Sequence, residues 1–296
     1  MHLSLALSLG ALTAAQAFQL PFFAPSSSSS LSLNLDATKT SRVKVQLGVM
    51  SRCPDAHLCE ALFDRVLEQR VEVRLPSNAT SEDGEEEKGT VEVRELIDLS
   101  AVYIAKLNSS AAYGATCMHG PLECAANVQQ LCAAEHWVNG RAGDEGEETT
   151  LQRRGVRERE VEMAARRRKQ GWEDWWNFIQ CLNYGETSSI GTEKKAQECA
   201  KVVKRDYSSL LPCASPDPAS EGSKLLRRSI KVADKLGVRK SCSVLIEGEV
   251  ICIHDSTWQS CPAGHEPADF ARVIARKWEA LNGGGGGGGK KAEEEE

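Results

Sequence analysis

The sequence predicts an α/β protein in which helices cover a small sheet, with a helical, cysteine-bearing insertion in its middle. Three observations carry this. A strand-like run, Val43 to Val49, leads through Met50-Ser51-Arg52-Cys53 into a helix opened by Pro54. Two apolar strands about a Glu247-Gly248 turn, between Ser243 and His254, read as a hairpin, and a helical pattern over Ala268–Leu281 closes the domain. Between these ends, the pattern from Ser100 to about Asp206 is helical and carries cysteines.

In chain order, Met1 to Ala17 has a short apolar region, Leu3 to Leu12, and a small-x-small site at Ala15-Gln16-Ala17. This reads as a signal peptide over 1–17, although no Lys or Arg precedes the apolar region. Residues 18–41, with Pro21, Pro25 and the serines Ser26 to Ser30, read as a flexible leader. The domain is expected over 42–281. In the helix from Pro54, Leu58, Leu62 and Val66 recur every four residues. A further strand is expected near Val71–Leu75 or Val91–Leu99, with the acidic stretch Ser81 to Gly89 between them as an exposed loop. The insertion spans about 100–206. It is interrupted by a Gly/Glu-rich loop, Asn139 to Thr150, and a basic stretch, Arg153 to Lys169, read as a solvated helix face. Leu225–Leu236 is expected to be helical. Residues 282–296 read as a disordered Gly/Glu tail.

Composition sets the class. A chain of 296 residues, 41% apolar, has material for a core. A net charge of −6 argues against a nucleic-acid partner. No apolar run after the N-terminus reaches the ~18 residues of a transmembrane helix. The eleven cysteines are the main signal. In an oxidising compartment they imply several bridges, and the odd number leaves at least one thiol unpaired within the chain. The sequons at Asn78 and Asn108 agree with a secretory route.

Cys53 is the leading candidate for chemistry. It stands where a strand ends and a helix begins, and a helix N-terminus favours a thiolate through its dipole and spare N–H donors. The ordinary alternative is a structural half-cystine. No CxxC pair sharpens the reading, because Cys53-Pro54-Asp55 is followed by Ala56. His57 stands near the thiol, but its helical position favours a surface role. His254-Asp255 reads as a turn or as a proton relay near a thiol. Trp172, Trp175, Trp176 and Phe178 cluster at helical spacing and read as core packing, with an exposed docking surface as the alternative.

The segment Cys117-Met118-His119-Gly120-Pro121-Leu122-Glu123-Cys124-Ala125-Ala126-Asn127 ends five residues on at Cys132. Its spacing fits no common zinc pattern, so no metal and no cofactor are expected. Cys124 and Cys132 are eight apart, share a helix face and point at a neighbouring helix. The segment resembles the signature C-Q-H-G-x-x-E-C-x-x-N-x-x-x-x-C of the gamma-interferon-inducible lysosomal thiol reductase (GILT) family, with Met118 in place of the Gln. Similarity is traceable from about Val43 to Cys261, including Cys181, Cys199 and Ile246-Glu247-Gly248. The resemblance implies a thioredoxin-like sheet with flanking helices and a disulfide-rich helical insertion. It also implies a thiol-disulfide oxidoreductase that reduces disulfide-bonded protein substrates in a lysosome-like compartment or outside the cell, with a small thiol as reductant. His119 belongs to the signature and is read as structural.

Two departures from the family stand out. Ala56 occupies the resolving position of the family's CxxC. Cys242, in Ser241-Cys242-Ser243, stands where a thioredoxin-like fold places a cis-proline. The candidate catalytic set is therefore Cys53 as nucleophile, with Cys59, Cys242 or a solution thiol completing the exchange. Cys117, Cys124, Cys132, Cys181, Cys199, Cys213, Cys252 and Cys261 are disulfide candidates. Along a helix from Pro54, Cys59 lies about 9 Å beyond Cys53 at ~1.5 Å per residue. A bridge between them would require the helix to start later, near Asp55, which can also cap; Cys53 is expected to be free or paired with Cys242, whose loop faces the end of the first strand in a thioredoxin-like fold. Cys59 is then expected to pair elsewhere or stay buried. The rival reading is a non-catalytic, disulfide-stabilised secreted protein that kept the fold and lost the chemistry.

Overall fold

The computed structural model describes residues 40–75, 88–138, 169 and 171–283. The expected signal peptide, almost all of the leader, Asn78, the Gly/Glu-rich loop, the basic stretch up to Arg168 and the tail beyond Gly283 lie outside the described residues.

The central strand, β1 (Val43–Val49), puts Val43, Val45, Leu47 and Val49 on one buried face. It runs parallel to β4 (Ile97–Tyr103) and antiparallel to β7 (Ser243–Ile246). With β8 (Glu249–Asp255) and β9 (Thr257–Gln259) the sheet order is β4-β1-β7-β8-β9. One parallel neighbour reached through a helix and a hairpin added on the other side make a thioredoxin-like α/β plan. Gly48 has a packing reason: a Cβ there would come within 2.4 Å of Val238 Cγ1.

Helix α1 (Pro54–Leu67) starts at Pro54, whose fixed φ suits the first helical position. Its buried face is Ala56, Cys59, Glu60, Leu62, Phe63, Val66 and Leu67. Leu58 is not part of it and is 60% exposed, because the apolar stripe follows steps of three and four from Ala56. On that side of the sheet, Phe63 packs on Phe270 of α7 (Pro267–Asn282), ring centroids 5.3 Å apart. On the opposite side, Val102 and Leu245 pack with Ala233 of α6 (Glu221–Lys235) and with Val238.

Both candidate strand segments after α1 are used. β2 (Arg70–Arg74) and β3 (Lys88–Glu92) form a separate two-stranded sheet, and a single helical turn, α2 (Val93–Leu96), leads into β4. The expectation of helix from Ser100 onward is corrected here. β4 continues to Tyr103 in register with β1, and a small hairpin, β5 (Lys106–Leu107) with β6 (Ala115–Thr116), comes first. The alternation of buried Ile97 and Leu99 with exposed Asp98 and Ser100 is a strand period, which parallel pairing extends.

The insertion comprises α3 (Pro121–Ala133), a helix over 171–183 (α4) and α5 (Glu193–Val202). Trp175, Trp176 and Phe178 are buried, which corrects the docking-surface alternative. Each indole N–H donates into the body: Trp172 to the Leu99 carbonyl, Trp175 to the Gln130 carbonyl and Trp176 to Asp64 Oδ1. Disulfides staple this region. Cys132–Cys213 joins the end of α3 to the segment before α6, and Cys181–Cys199 joins α4 to α5. Cys124 does not reach a neighbouring helix. It pairs with Cys117 in the turn before its own helix, Cα atoms 5.5 Å apart. Cys252–Cys261 pins the segment after β9 to β8.

Two predictions follow from this architecture. Cys132–Cys213 closes a loop across 81 positions of sequence. Its removal by a double Cys→Ser change is expected to cost about 2–4 kcal/mol, read by thermal or denaturant unfolding. The second concerns Glu60, buried on α1 with Oε2 accepting from Asn183 Nδ2 at 2.5 Å. Burial pushes its carboxyl from 4.5 up to about 7, against the opposing pull of the Asn183 hydrogen bond. A carboxyl raised on folding stabilises the fold while protonated. Its contribution is full below about pH 4.5 and is lost as pH rises through about 7. Unfolding measured across that window should show a loss on the order of 3 kcal/mol in the wild type that Glu60→Gln lacks.

Candidate functional site

Cys53 is the free cysteine; the other ten are bonded in five pairs. It is the N-cap residue of α1 in extended conformation, and its carbonyl accepts from the Ala56 and His57 N–H groups. Its thiol makes no capping bond to the helix backbone. Sγ lies 3.7 Å from the Ser241 carbonyl oxygen and 4.0 Å from Asp55 Oδ2, and the residue is 7% exposed.

The loop before β7 forms the facing wall. Cys242 exchanges both backbone hydrogen bonds with His254 of β8, at 2.9 and 2.8 Å, and the Ser241–Cys242 peptide is cis. Ser241 Oγ accepts from the Met50 N–H, which ties this loop to the end of β1. Cys242 is bonded to Cys59, Cα atoms 6.2 Å apart, so α1 and the loop are covalently joined beside the free thiol. Cys53, Cys59 and Cys242 thus meet at one place, with the second and third sulfurs committed to each other. Ala56, at the resolving position, is fully buried and has no sulfur to offer.

The Cys117–Cys132 segment supports the same loop. Asn127 Oδ1 accepts from the Ser51 N–H, the Glu123 carbonyl accepts from Ser51 Oγ, and Glu123 Oε2 accepts from the Arg52 N–H. Arg52 Nη1 donates to the His119 carbonyl. Glu123 and Asn127 are fully buried. His119 places Nδ1 2.5 Å from Glu123 Oε2, and its N–H donates to Glu123 Oε1, a structural role. His57 is half-buried with Nε2 at 3.0 Å from the Ser51 carbonyl. Burial, seconded by the His119 charge, lowers its pKa against that bond.

Sequence reading missed Asp55. Its Oδ1 lies 2.7 Å from Nδ1 of buried His254 and accepts the Ser256 N–H at 2.9 Å. Position two of the first turn was a usable signal, because an acidic residue there favours the helix dipole. Trp258 packs edge-on against His254, ring centroids 4.7 Å apart. Among the described residues, His136, Cys213 and Glu221 bring three metal-ligand types within 4.8 Å. The Cys213 sulfur is held by Cys132, and His136 Nε2 is already 2.9 Å from Glu221 Oε2. The set therefore offers a cation no thiolate.

Fold and site define a thioredoxin-like α/β protein with one free thiol at the start of its first helix. Residues 44–151 match the family described as gamma interferon inducible lysosomal thiol reductase (GILT), and this match supports membership of that family. The matched segment holds Cys53 and the whole Cys117–Cys132 signature. No curated protein matches the chain.

If Glu123 and Asn127 hold the Cys53 loop, removing one buried partner leaves a backbone donor unsatisfied. Asn127→Ala is expected to cost about 1–3 kcal/mol. It should also speed amide hydrogen exchange at Ser51 more than at residues of β2, in the separate two-stranded sheet.

Proposed function

We propose that the protein reduces protein disulfides by thiol–disulfide exchange at Cys53. The observation that carries this reading is that one cysteine of eleven is free, at the N-terminus of α1 and against the Ser241–Cys242 loop. The Cys53 thiolate attacks a substrate disulfide, forms a mixed disulfide and releases one substrate thiolate. Cys59 and Cys242 are bonded to each other, so a small thiol from solution attacks the mixed disulfide and releases Cys53. A second small thiol completes the oxidation of the reductant. The substrate disulfide gains the two electrons that the reductant loses.

The working compartment in this reading is oxidising or acidic, on the secretory route. Five disulfides in one chain support it. No helix among the described residues is long and apolar enough to cross a membrane. Cleavage after Ala17 and an N-glycan at Asn78 or Asn108 belong to the same proposal. Asn108 is exposed, with Nδ2 bonded to Thr116 Oγ1.

A second reading, a protein that kept the fold and lost the chemistry, is favoured by Ala56 and by the deep burial of Cys53. Turnover of a disulfide-bonded protein at acid pH with a small thiol separates the two. The catalytic reading expects rates above those of the thiol alone, abolished by Cys53→Ser. It also expects a mixed disulfide at Cys53 to accumulate when the small thiol is withheld. Rates equal for wild type and Cys53→Ser would establish the second reading.

A further inference from the structure

The groups around Cys53 are mostly committed. Arg52 serves the His119 and Thr187 carbonyls, Glu123 serves His119 and the Arg52 N–H, His57 faces the Ser51 carbonyl, and Lys240 pairs with Asp255. Asp55 is different. One carboxylate oxygen, Oδ2, is turned to the thiol at 4.0 Å; the other meets His254 Nδ1 at 2.7 Å. His254 is 7% exposed, and its Nδ1 has no aligned hydrogen-bond partner, so the approach to Asp55 is at ion-pair distance without a formed hydrogen bond. A buried imidazole nitrogen left in this state, aimed at a carboxylate that itself faces a free thiol, has no structural use that the surrounding contacts supply. The backbone of His254 already anchors the strand through Cys242, and Trp258 already fills the space beside the ring.

We propose that Asp55 and His254 form a proton-exchange pair for Cys53, with Asp55 as the group that moves the proton and His254 as the residue that positions it and balances its charge. The inference rests on Cys53 being the nucleophile. The Asp55 carboxylate takes the proton from the Cys53 thiol, giving thiolate and carboxylic acid. The thiolate sulfur attacks one sulfur of the substrate disulfide; the Cys53–substrate S–S bond forms and the substrate S–S bond breaks. The departing substrate thiolate takes the proton from Asp55, leaving as a thiol and restoring the carboxylate. His254 stays against Oδ1 throughout. No proton or electron is left over, and the later release by a small thiol is the exchange already described.

Proton delivery to a departing thiolate matters when that thiolate is basic and matters little when it is a weak base that leaves unaided. This gives a test that a merely structural or electrostatic role fails. Single-turnover formation of the Cys53 mixed disulfide is measured on the full chain with two probes. One is oxidised glutathione, whose leaving thiol is basic; the other is an aromatic nitrobenzoate disulfide, whose leaving thiol is acidic. Asp55→Asn and His254→Gln are each expected to slow the glutathione reaction by roughly 10²-fold. The aromatic reaction of the same samples should slow much less, because it loses only the acceptor of the Cys53 proton and not a needed proton delivery to the leaving thiol; its persistence also reports an intact fold and an accessible Cys53. Because the two residues act as a unit, the double variant should be no slower than Asp55→Asn alone. Equal loss on both disulfides, or no loss on either, overturns the pair while leaving Cys53 as the nucleophile. A wild type whose reactions match those of Cys53→Ser with both probes overturns the nucleophile reading and the pair with it.

Discussion

The presentation of Cys53 depends on a short set of buried hydrogen bonds between two segments far apart in sequence. The turn Ser51-Arg52 has backbone N–H groups that neither β1 nor α1 satisfies. Asn127 and Glu123, one helical turn apart on α3, accept both of them. Buried donors without partners are costly, so the loop has its present shape only while α3 lies where it does. This explains why the signature combines half-cystines with a histidine, a glutamate and an asparagine. Cys117–Cys124 fixes the turn before α3, His119 orients Glu123, and Glu123 and Asn127 hold the thiol-bearing loop. The helical insertion is thus more than an addition to the sheet; its first helix is one wall of the site.

The two departures from the family pattern are linked by one covalent bond. Ala56 and Cys59 lie three apart on the same buried face of α1. Sulfur is absent from the resolving position and present one turn further along that face. There it meets Cys242, at the position where a proline is expected, and the two are bonded. In a two-cysteine reductase the helix carries a mobile pair of thiols against an inert loop. Here the helix is bonded to the loop, and Cys53 stands alone beside the junction. The same side chain cannot serve both as a structural tie and as a resolving thiol at one time. While the bond is formed, completion of the exchange at Cys53 falls to a thiol from solution.

Much of the frame was legible because it is written in local pattern. Val43–Val49, the Pro54 helix start, the Glu247-Gly248 hairpin and the last helix each carry a short-range signal, and each is present. The stretch after Ser100 misled because Leu99, Val102 and Tyr103 fit a helical stripe as well as a strand; parallel pairing with β1 decided it. A helix start at Pro54 argued against a Cys53–Cys59 bridge; the helix does start there, and Cys53 is free. The partner of Cys59 was not legible, because it lies 183 positions away and only the closing of the sheet brings it near. Asp55 was missed for the same reason. Its meaning comes from His254, two strands across the sheet, and no spacing in the sequence connects them.

The charge arrangement around the thiol also bears on the chemistry open to Cys53. A carboxylate beside a thiol repels the thiolate, so Asp55 by itself is a poor neighbour for a nucleophile. The other side of that carboxylate is occupied: Oδ1 lies 2.7 Å from His254 Nδ1 and accepts the Ser256 N–H. Glu60 adds a pH dependence from inside α1: its raised carboxyl favours the folded chain while it is protonated. One group acts on the reactive centre and the other on the helix that carries it. The helix that carries Cys53 is therefore held most firmly while Glu60 is protonated, on the acid side of neutrality.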